Sequence, residues 1–152
     1  TVIYVKLYKN KCDEDFITEN IFEHILINRI SKNRKLNLID VKRKKLHNEY
    51  YFFQLCLQGK IQMENLCILE KEICLNEFEL AKKNIQDTIY NMKDINSAYI
   101  ISNLLNHFNY GDSLLLTCKC QDKLLRVLRW LDFSLFKRHL SVIYANGIFV
   151  IN

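Results

Sequence analysis

The sequence contains no proline and only three glycines among its 152 residues. This scarcity excludes collagen-like and proline-rich chains, and it argues against a phosphate-binding loop built on clustered glycines. No apolar run approaches the roughly 20 residues that a membrane-spanning helix needs, and no signal peptide is visible. Hydrophobic residues make up 49% and charged residues 26%, so the chain can bury a core. We expect a soluble, cytoplasmic protein of one ordinary domain or two small ones.

The charge balance is mildly basic, with 22 Lys and Arg against 17 Asp and Glu, a net charge of +5. Residues 29–45 hold many basic residues and a single acid, Asp40. This basic patch consists of Arg29, Lys32, Arg34, Lys35, Lys42, Arg43, Lys44 and Lys45. Such a patch can face the phosphates of a nucleotide, a lipid headgroup or a nucleic acid, whereas most charge runs are simply solvated loops.

The six cysteines and four histidines form no recognisable metal-binding pattern. Cys118 and Cys120 are too closely spaced for a usual zinc knuckle, and no histidine lies at a ligand spacing from a cysteine or another histidine. We predict reduced thiols that act as small hydrophobes, with no metal and no cofactor.

The first half of the chain predicts strands separated by one helix. Residues 2–8 are β-branched and aromatic, which indicates a strand, and Thr18 is a plausible N-cap for a helix over 19–31. Segments Leu36–Val41 and Tyr50–Gln58 predict two further strands, joined by the charged loop KRKKLHNE. The second segment, YYFFQLCLQ, is nearly apolar throughout, as is typical of a central strand covered on both faces.

The second half of the chain predicts helices and a final hairpin. A helical region over 62–92 has a break near Asn76. Three short helices follow, over residues 98–108, 112–117 and 121–133, with Trp130 and Phe133 in their core. Leu140–Tyr144 and Ile148–Ile151 flank Asn146-Gly147, which predicts a hairpin. Three short helices followed by a hairpin are typical of a winged helix.

This element order predicts an α+β fold with an antiparallel sheet and flanking helices in residues 1–93, followed by a winged-helix domain in residues 94–152. Lys119, Lys123 and Arg126 share one face of the third winged-domain helix. A DNA-reading helix also needs donors for base edges, and only Gln121 is available, so an interaction module is favoured over DNA binding.

Three segments resemble the nitrogen permease regulator 2-like family. EDFITENIFEHILINRISKNRKLNLIDV resembles the family's first helix and following strand, and YYFFQLCLQ resembles its central strand. DKLLRVLRWLDFSLFKRHLSVIYANGIFV resembles its winged-helix segment. The resemblance implies a longin-like domain with a five-stranded sheet, followed by a winged helix.

The resemblance also implies a role in a GATOR/SEACIT-type complex. Such a subunit would form a heterodimer with a paralogous 3-like subunit through its longin domain, with Thr1–Tyr8 as a candidate edge strand. It would assemble with a large DEP-domain subunit and regulate Rag/Gtr GTPases upstream of TOR signalling, in response to amino acids. The implied location is cytoplasmic and peripheral on the vacuolar or lysosomal membrane, and these protein partners are expected rather than nucleic acid.

The family's catalytic arginine finger lies immediately before the central strand, and the resemblance places Asn48 at that position. An arginine finger accelerates GTP hydrolysis by roughly 10³–10⁵-fold, which an uncharged amide cannot match. The connection between the two middle strands is shorter than in the family. If this difference shifts the position of Arg43, that residue is the candidate to replace the missing finger. We therefore expect a non-catalytic scaffold rather than a GTPase-activating subunit, and the alternative is a small winged-helix nucleic-acid-binding protein.

Overall fold

The computed structural model describes residues 1–45, 49–90 and 118–152, which form four strands and five α-helices. The strands are β1 (Val2–Tyr8), β2 (Leu38–Lys45), β3 (Tyr50–Leu57) and β4 (Tyr144–Ile151). The helices are α1 (Asp13–Lys32), α2 (Met63–Leu66), α3 (Leu75–Tyr90), α4 (Cys118–Trp130) and α5 (Phe133–Ile143), with a 3₁₀ turn at Cys67–Leu69. The predicted α+β fold, an antiparallel sheet with flanking helices, is confirmed.

The four strands form one sheet in the order β2-β3-β1-β4, and every neighbouring pair is antiparallel. Strands β1 and β2 run parallel with β3 between them, which is the split β–α–β arrangement. The prediction that Thr1–Tyr8 is an edge strand is wrong, because β4 pairs with β1 on the side opposite β3. The edges of the described sheet are β2 and β4.

Strand β3 lies between β1 and β2, as predicted for a central strand. Phe53, Leu55 and Leu57 are buried, whereas the alternating residues Phe52 and Gln54 are only partly buried. Among the described residues, only one face of this strand is fully buried, so the prediction of cover on both faces is not confirmed. In the described part of the chain the helices pack against one face, which we call the inner face.

Helix α1 packs between the sheet and the other helices. Phe22, Leu26 and Ile30 join the inner face of the sheet in one hydrophobic cluster. Ile21 and Ile25 belong to a second cluster with α3, α4 and α5. Burying each of these side chains stabilises the fold by about 1.5–3 kcal/mol.

Helix α1 begins six residues earlier than the cap at Thr18 predicts. Cys12 precedes the first turn, which contains Asp13, Glu14 and Asp15. Negative side chains in a first turn interact favourably with the positive end of the helix dipole, so a helix can begin without a Ser or Thr cap. Thr18 is instead fully buried within the helix.

The run Lys42–Lys45 belongs to β2 rather than to a loop, so that prediction is wrong. These residues pair with positions 51–54 of β3, which supplies the backbone hydrogen bonds of the segment. Lysines are common on edge strands, where they oppose pairing with another chain. The remaining connection includes Asn48, which lies outside the described residues.

The region after β3 is divided differently from the prediction. The break expected near Asn76 lies instead between the 3₁₀ turn and the start of α3 at Leu75. The helices predicted over residues 98–108 and 112–117 lie outside the described residues, as does the boundary between residues 93 and 94.

The predicted C-terminal hairpin is wrong. Helix α5 runs to Ile143, and its N-cap Asp132 accepts a hydrogen bond from the Leu135 N–H at 2.8 Å. Strand β4 then continues through Asn146-Gly147 and pairs with β1, and the register between the two strands shifts at this point, as at a β-bulge. The segment therefore adds to the sheet of the N-terminal half, and the predicted winged helix is not confirmed. Trp130, predicted to be core, is 78% exposed, whereas Phe133 packs on Phe78.

Candidate functional site

The face of the sheet opposite the helices carries an unusual set of side chains. Alternation along each strand places polar, aromatic and apolar residues together on this side, which we call the outer face. From β1 and β3 it includes Val2, Tyr4, Lys6, Tyr8, Tyr50, Phe52, Gln54 and Cys56. Strand β4 adds Phe149 and Ile151, and β2 adds Asp40 and Lys42.

Three rings on three adjacent strands form the centre of the outer face. The Tyr4 and Phe52 rings are 6.0 Å apart between centroids and perpendicular. The Phe52 and Phe149 rings are 6.4 Å apart at 71°. These edge-to-face arrangements are favourable for aromatic pairs. Phe149 is 52% exposed, and Tyr4 and Phe52 are half-buried. The group, which we call the ring cluster, is therefore partly accessible to solvent.

The absence of a side chain at Gly147 leaves room for the Phe149 ring. A Cβ atom at position 147 would lie 2.6 Å from Cε2 of the Phe149 ring, closer than real Cβ contacts allow. The ring therefore lies against the glycine backbone of its own strand.

A second pair of rings lies at the other end of the outer face. The Tyr8 and Tyr50 rings are 4.9 Å apart, and Lys6 Nζ lies 4.1 Å from the centre of the Tyr50 ring. This distance permits a cation–π interaction. The neighbouring Tyr8 raises the pKa of Tyr50, which favours the neutral hydroxyl of Tyr50.

Positive charge extends across the outer face to β2. Lys42 Nζ lies 2.9 Å from Asp40 Oδ2 in an exposed ion pair. Each partner favours the charged form of the other, so the pKa of Lys42 is raised and the pKa of Asp40 is lowered. Lys44 occupies the register position opposite Phe52. The arrangement combines flat rings, an amide at Gln54 and cations, which suits stacking, hydrogen bonding and charge pairing.

The basic patch is divided by the structure. Arg29 is 5% exposed and points into the protein, where Nε and Nη2 donate to the Glu77 carboxylate at 2.7 Å. This bidentate pairing lowers the pKa of Glu77 to about 2. Lys32, Arg34 and Lys35 are exposed at the C-terminal end of α1. Lys42 lies on the outer face, and the backbone of Arg43 pairs with Phe53 in the β2–β3 ladder.

The three basic residues predicted to share a helix face lie on α4. Lys123 Nζ pairs with Asp13 Oδ2 at 2.8 Å, which ties α4 to the start of α1. Arg126 is exposed, and Lys119 is in the first turn of α4. The arginine-finger position, Asn48, lies outside the described residues, so its geometry relative to Arg43 is not described.

The ring cluster was not predicted from the sequence. Its signal is present as aromatic residues two apart, Tyr50 and Phe52 in β3, with Tyr4 in β1. Recognising the cluster requires the register between these strands and the pairing of β4 with β1, and local patterns do not supply either.

Comparisons with protein-family models, with curated proteins and with solved structures find no match. Of the helices in residues 1–45, 49–90 and 118–152, none combines the length and the apolar character that a membrane span requires.

Proposed function

We propose that the protein binds single-stranded nucleic acid on the outer face of its sheet. The observation that carries the proposal is the ring cluster, which crosses three adjacent strands and is flanked by lysines. Four-stranded sheets that recognise single-stranded RNA use aromatic residues on their strands to stack two or three bases. Here the central strands β1 and β3 contribute Tyr4, Tyr50 and Phe52.

Stacking supplies affinity without a defined base sequence. Each base stacked on an aromatic side chain contributes about 1–3 kcal/mol, because every base has a flat face. Duplex bases are already stacked on one another, so the rings of a flat sheet reach only unpaired bases. The outer face therefore favours single strands over duplexes.

Lysines around the rings supply contacts to phosphates. Lys6 lies over the Tyr50 ring, and Lys42 is exposed and paired with Asp40. The chain as a whole carries a net charge of +5, which favours approach of a polyanion. Each phosphate contact makes the affinity depend on salt, with a slope in log–log form of about −0.7 per contact for single strands.

Fluorescence anisotropy with a labelled RNA of about 10 nucleotides tests the proposal, with DNA of the same sequence and a duplex as comparisons. Phe52→Ala is expected to weaken RNA binding about 5- to 100-fold, since one stacking partner is lost. Lys6→Gln is expected to reduce the salt slope by about 0.7.

Trp130→Ala is the matched control, because Trp130 is an exposed aromatic residue on α4, away from the outer face. It should leave the affinity unchanged. Circular dichroism of each variant verifies that the fold is retained. Equal affinity of Phe52→Ala and wild type, or no binding to single strands at low salt, would contradict the proposal.

A second candidate is the GATOR-type subunit role that the family resemblance implies. It is supported by the antiparallel sheet with flanking helices, which is consistent with a longin-like fold, and by an edge strand, β4, that exposes Phe149 and Ile151. Exposed edge strands pair with strands of partner proteins. In this role a paralogous longin-domain subunit pairs with the edge of β4.

Co-expression with such a paralogue, followed by size-exclusion chromatography, tests the second candidate. Ile151→Lys should abolish co-elution with the paralogue, because it places a charge on the exposed edge strand. Unchanged co-elution of this variant would contradict pairing at β4. For GTPase activation, single-turnover hydrolysis by a Rag-type GTPase separates the scaffold role from catalysis. The wild type should not accelerate hydrolysis and Asn48→Arg should do so, whereas acceleration that Arg43→Ala abolishes would make Arg43 the finger.

A further inference from the structure

Three side chains with different donor atoms meet between α1 and α5. Cys12 immediately precedes α1, Asp15 lies in its first turn, and His139 comes from α5. A sulfur, a carboxylate oxygen and a ring nitrogen from these residues all lie within 4.8 Å of one another. Spacing along the chain does not reveal the group, because Asp15 and His139 are 124 residues apart.

The contacts around Asp15 orient its carboxylate within this group. Oδ2 accepts a hydrogen bond from the backbone N–H of Lys11 at 3.0 Å. Oδ1 lies 2.9 Å from His139 Nδ1. Hydrogen bonds to a ligating carboxylate of this kind hold metal ligands in position.

The donor set and its dimensions match zinc. Zinc takes thiolate, imidazole and carboxylate ligands at about 2.0–2.3 Å, which places the ligand atoms of a tetrahedral site about 3.3–3.6 Å apart. A group that already lies within 4.8 Å needs only small side-chain movements to close on an ion. Cys12 is exposed and His139 is half-buried, so an ion can enter from solvent and a water can complete the coordination.

We propose that Cys12, Asp15 and His139 form a zinc site with three protein ligands and one position open to water. On binding, the Cys12 thiol loses its proton to solvent and the thiolate coordinates the ion. The ion replaces the direct contact between Asp15 and His139, and it joins the start of α1 to α5, which leads directly into β4. The site is independent of the outer face and of nucleic-acid binding.

Titration of the reduced, metal-free protein with Co²⁺ and then Zn²⁺ tests this site. Co²⁺ is expected to give the visible absorption of tetrahedral cobalt together with a near-ultraviolet cobalt–thiolate band, and Zn²⁺ is expected to displace it at one equivalent. Zinc should also raise the unfolding temperature, because a ligand that binds only the folded state stabilises it.

Cys12→Ser should abolish the cobalt–thiolate band, and His139→Ala should weaken zinc binding at least tenfold. Cys67→Ser is the matched control, since Cys67 is also an exposed free cysteine and lies outside the group. It should bind as the wild type does. A wild-type protein that binds neither ion, or a Cys12→Ser variant that retains the thiolate band, would overturn the proposal. Because these are metal-binding readouts, they are separate from any test of RNA binding.

Discussion

The Arg29 guanidinium is held by one carboxylate and four backbone carbonyls beneath α1. Besides Glu77, it donates to the carbonyl oxygens of Ile68, Leu69, Lys71 and Glu72 at 2.7–3.3 Å. These acceptors compensate the buried positive charge of Arg29. Removing one partner of a buried charge is strongly destabilising, so the loss of the Glu77 carboxylate should be costly. This network of hydrogen bonds fixes the segment between the 3₁₀ turn and α3, where regular backbone hydrogen bonds are interrupted.

Glu77→Gln is predicted to lower the free energy of unfolding by about 2–3 kcal/mol at pH 7. The folded state lowers the pKa of Glu77 from its ordinary 4.5 to about 2 because the Arg29 guanidinium favours the carboxylate. A lowered pKa gives stability that is fully present above the unfolded value and is lost as pH falls towards the folded one. The gap between wild type and variant should therefore shrink between about pH 4.5 and pH 2.

Urea unfolding at a series of pH values measures this gap. Glu79→Gln is the matched control, because Glu79 is an exposed glutamate on the same helix. It should change stability by less than about 0.5 kcal/mol at pH 7. A gap for Glu77→Gln that does not change with pH would contradict the assignment.

The role of Arg29 could not be predicted from its neighbours in sequence. Lys32, Arg34 and Lys35 follow Arg29 closely in the sequence, and this clustering predicted one continuous basic patch. In the structure these three residues are exposed, whereas Arg29 is buried. Burial of Arg29 depends on Glu77, which is 48 residues away along the chain. Contacts at that separation leave no local pattern.

At the scale of the element, strand β4 decides the shape of the outer face. It places Phe149 beside Phe52, and Gly147 provides the space for the Phe149 ring. The strand emerges directly from α5, so its position depends on how that helix packs against α1.

Gly147→Ala is predicted to weaken single-stranded RNA binding about 3- to 10-fold, because the added Cβ displaces the Phe149 ring and with it part of a stacking surface. Equilibrium binding of wild type, Gly147→Ala, Phe149→Ala and the double variant forms a cycle that tests this mechanism. Gly147→Ala should have no further effect once Phe149 has been replaced. Fully additive losses would show that the glycine acts by another route.

Elements with a strong local signal were predicted well. Strands β1 and β3 follow directly from their β-branched and aromatic residues. The hairpin prediction failed because Asn-Gly is a turn signal only when the flanking segments pair with each other, and here the segment after α5 pairs with β1. The identity of the pairing partner is a tertiary property, which the dipeptide does not encode.

For the whole molecule, the described ends of the chain meet in one sheet. Strand β1, near the N-terminus, lies between β3 and the C-terminal β4. The Thr1 hydroxyl also donates to the Asn152 side chain. The α+β fold was predictable from the order of the elements. The pairing of β1 with β4 was not, because most of the sequence separates the two strands.

Hydrogen exchange is predicted to show protection at successive backbone amides of β1 from Val2 to Val5, since both sides of the strand are paired there and the register with β4 shifts only beyond Val5. Strand β4 is an edge of the described sheet, so its protected amides should alternate with fast ones. Alternating fast exchange within β1 would mean that β1 is an edge strand and that β4 lies elsewhere.

The most direct test of the nucleic-acid account is an NMR titration of the protein with a short single-stranded RNA. Signals from the rings of Tyr4, Tyr50, Phe52 and Phe149 are predicted to shift together and saturate with the affinity measured by anisotropy. The indole N–H of Trp130, the single tryptophan of the chain, should not move. Shifts at Trp130 with unchanged ring signals on the sheet would contradict binding at the outer face.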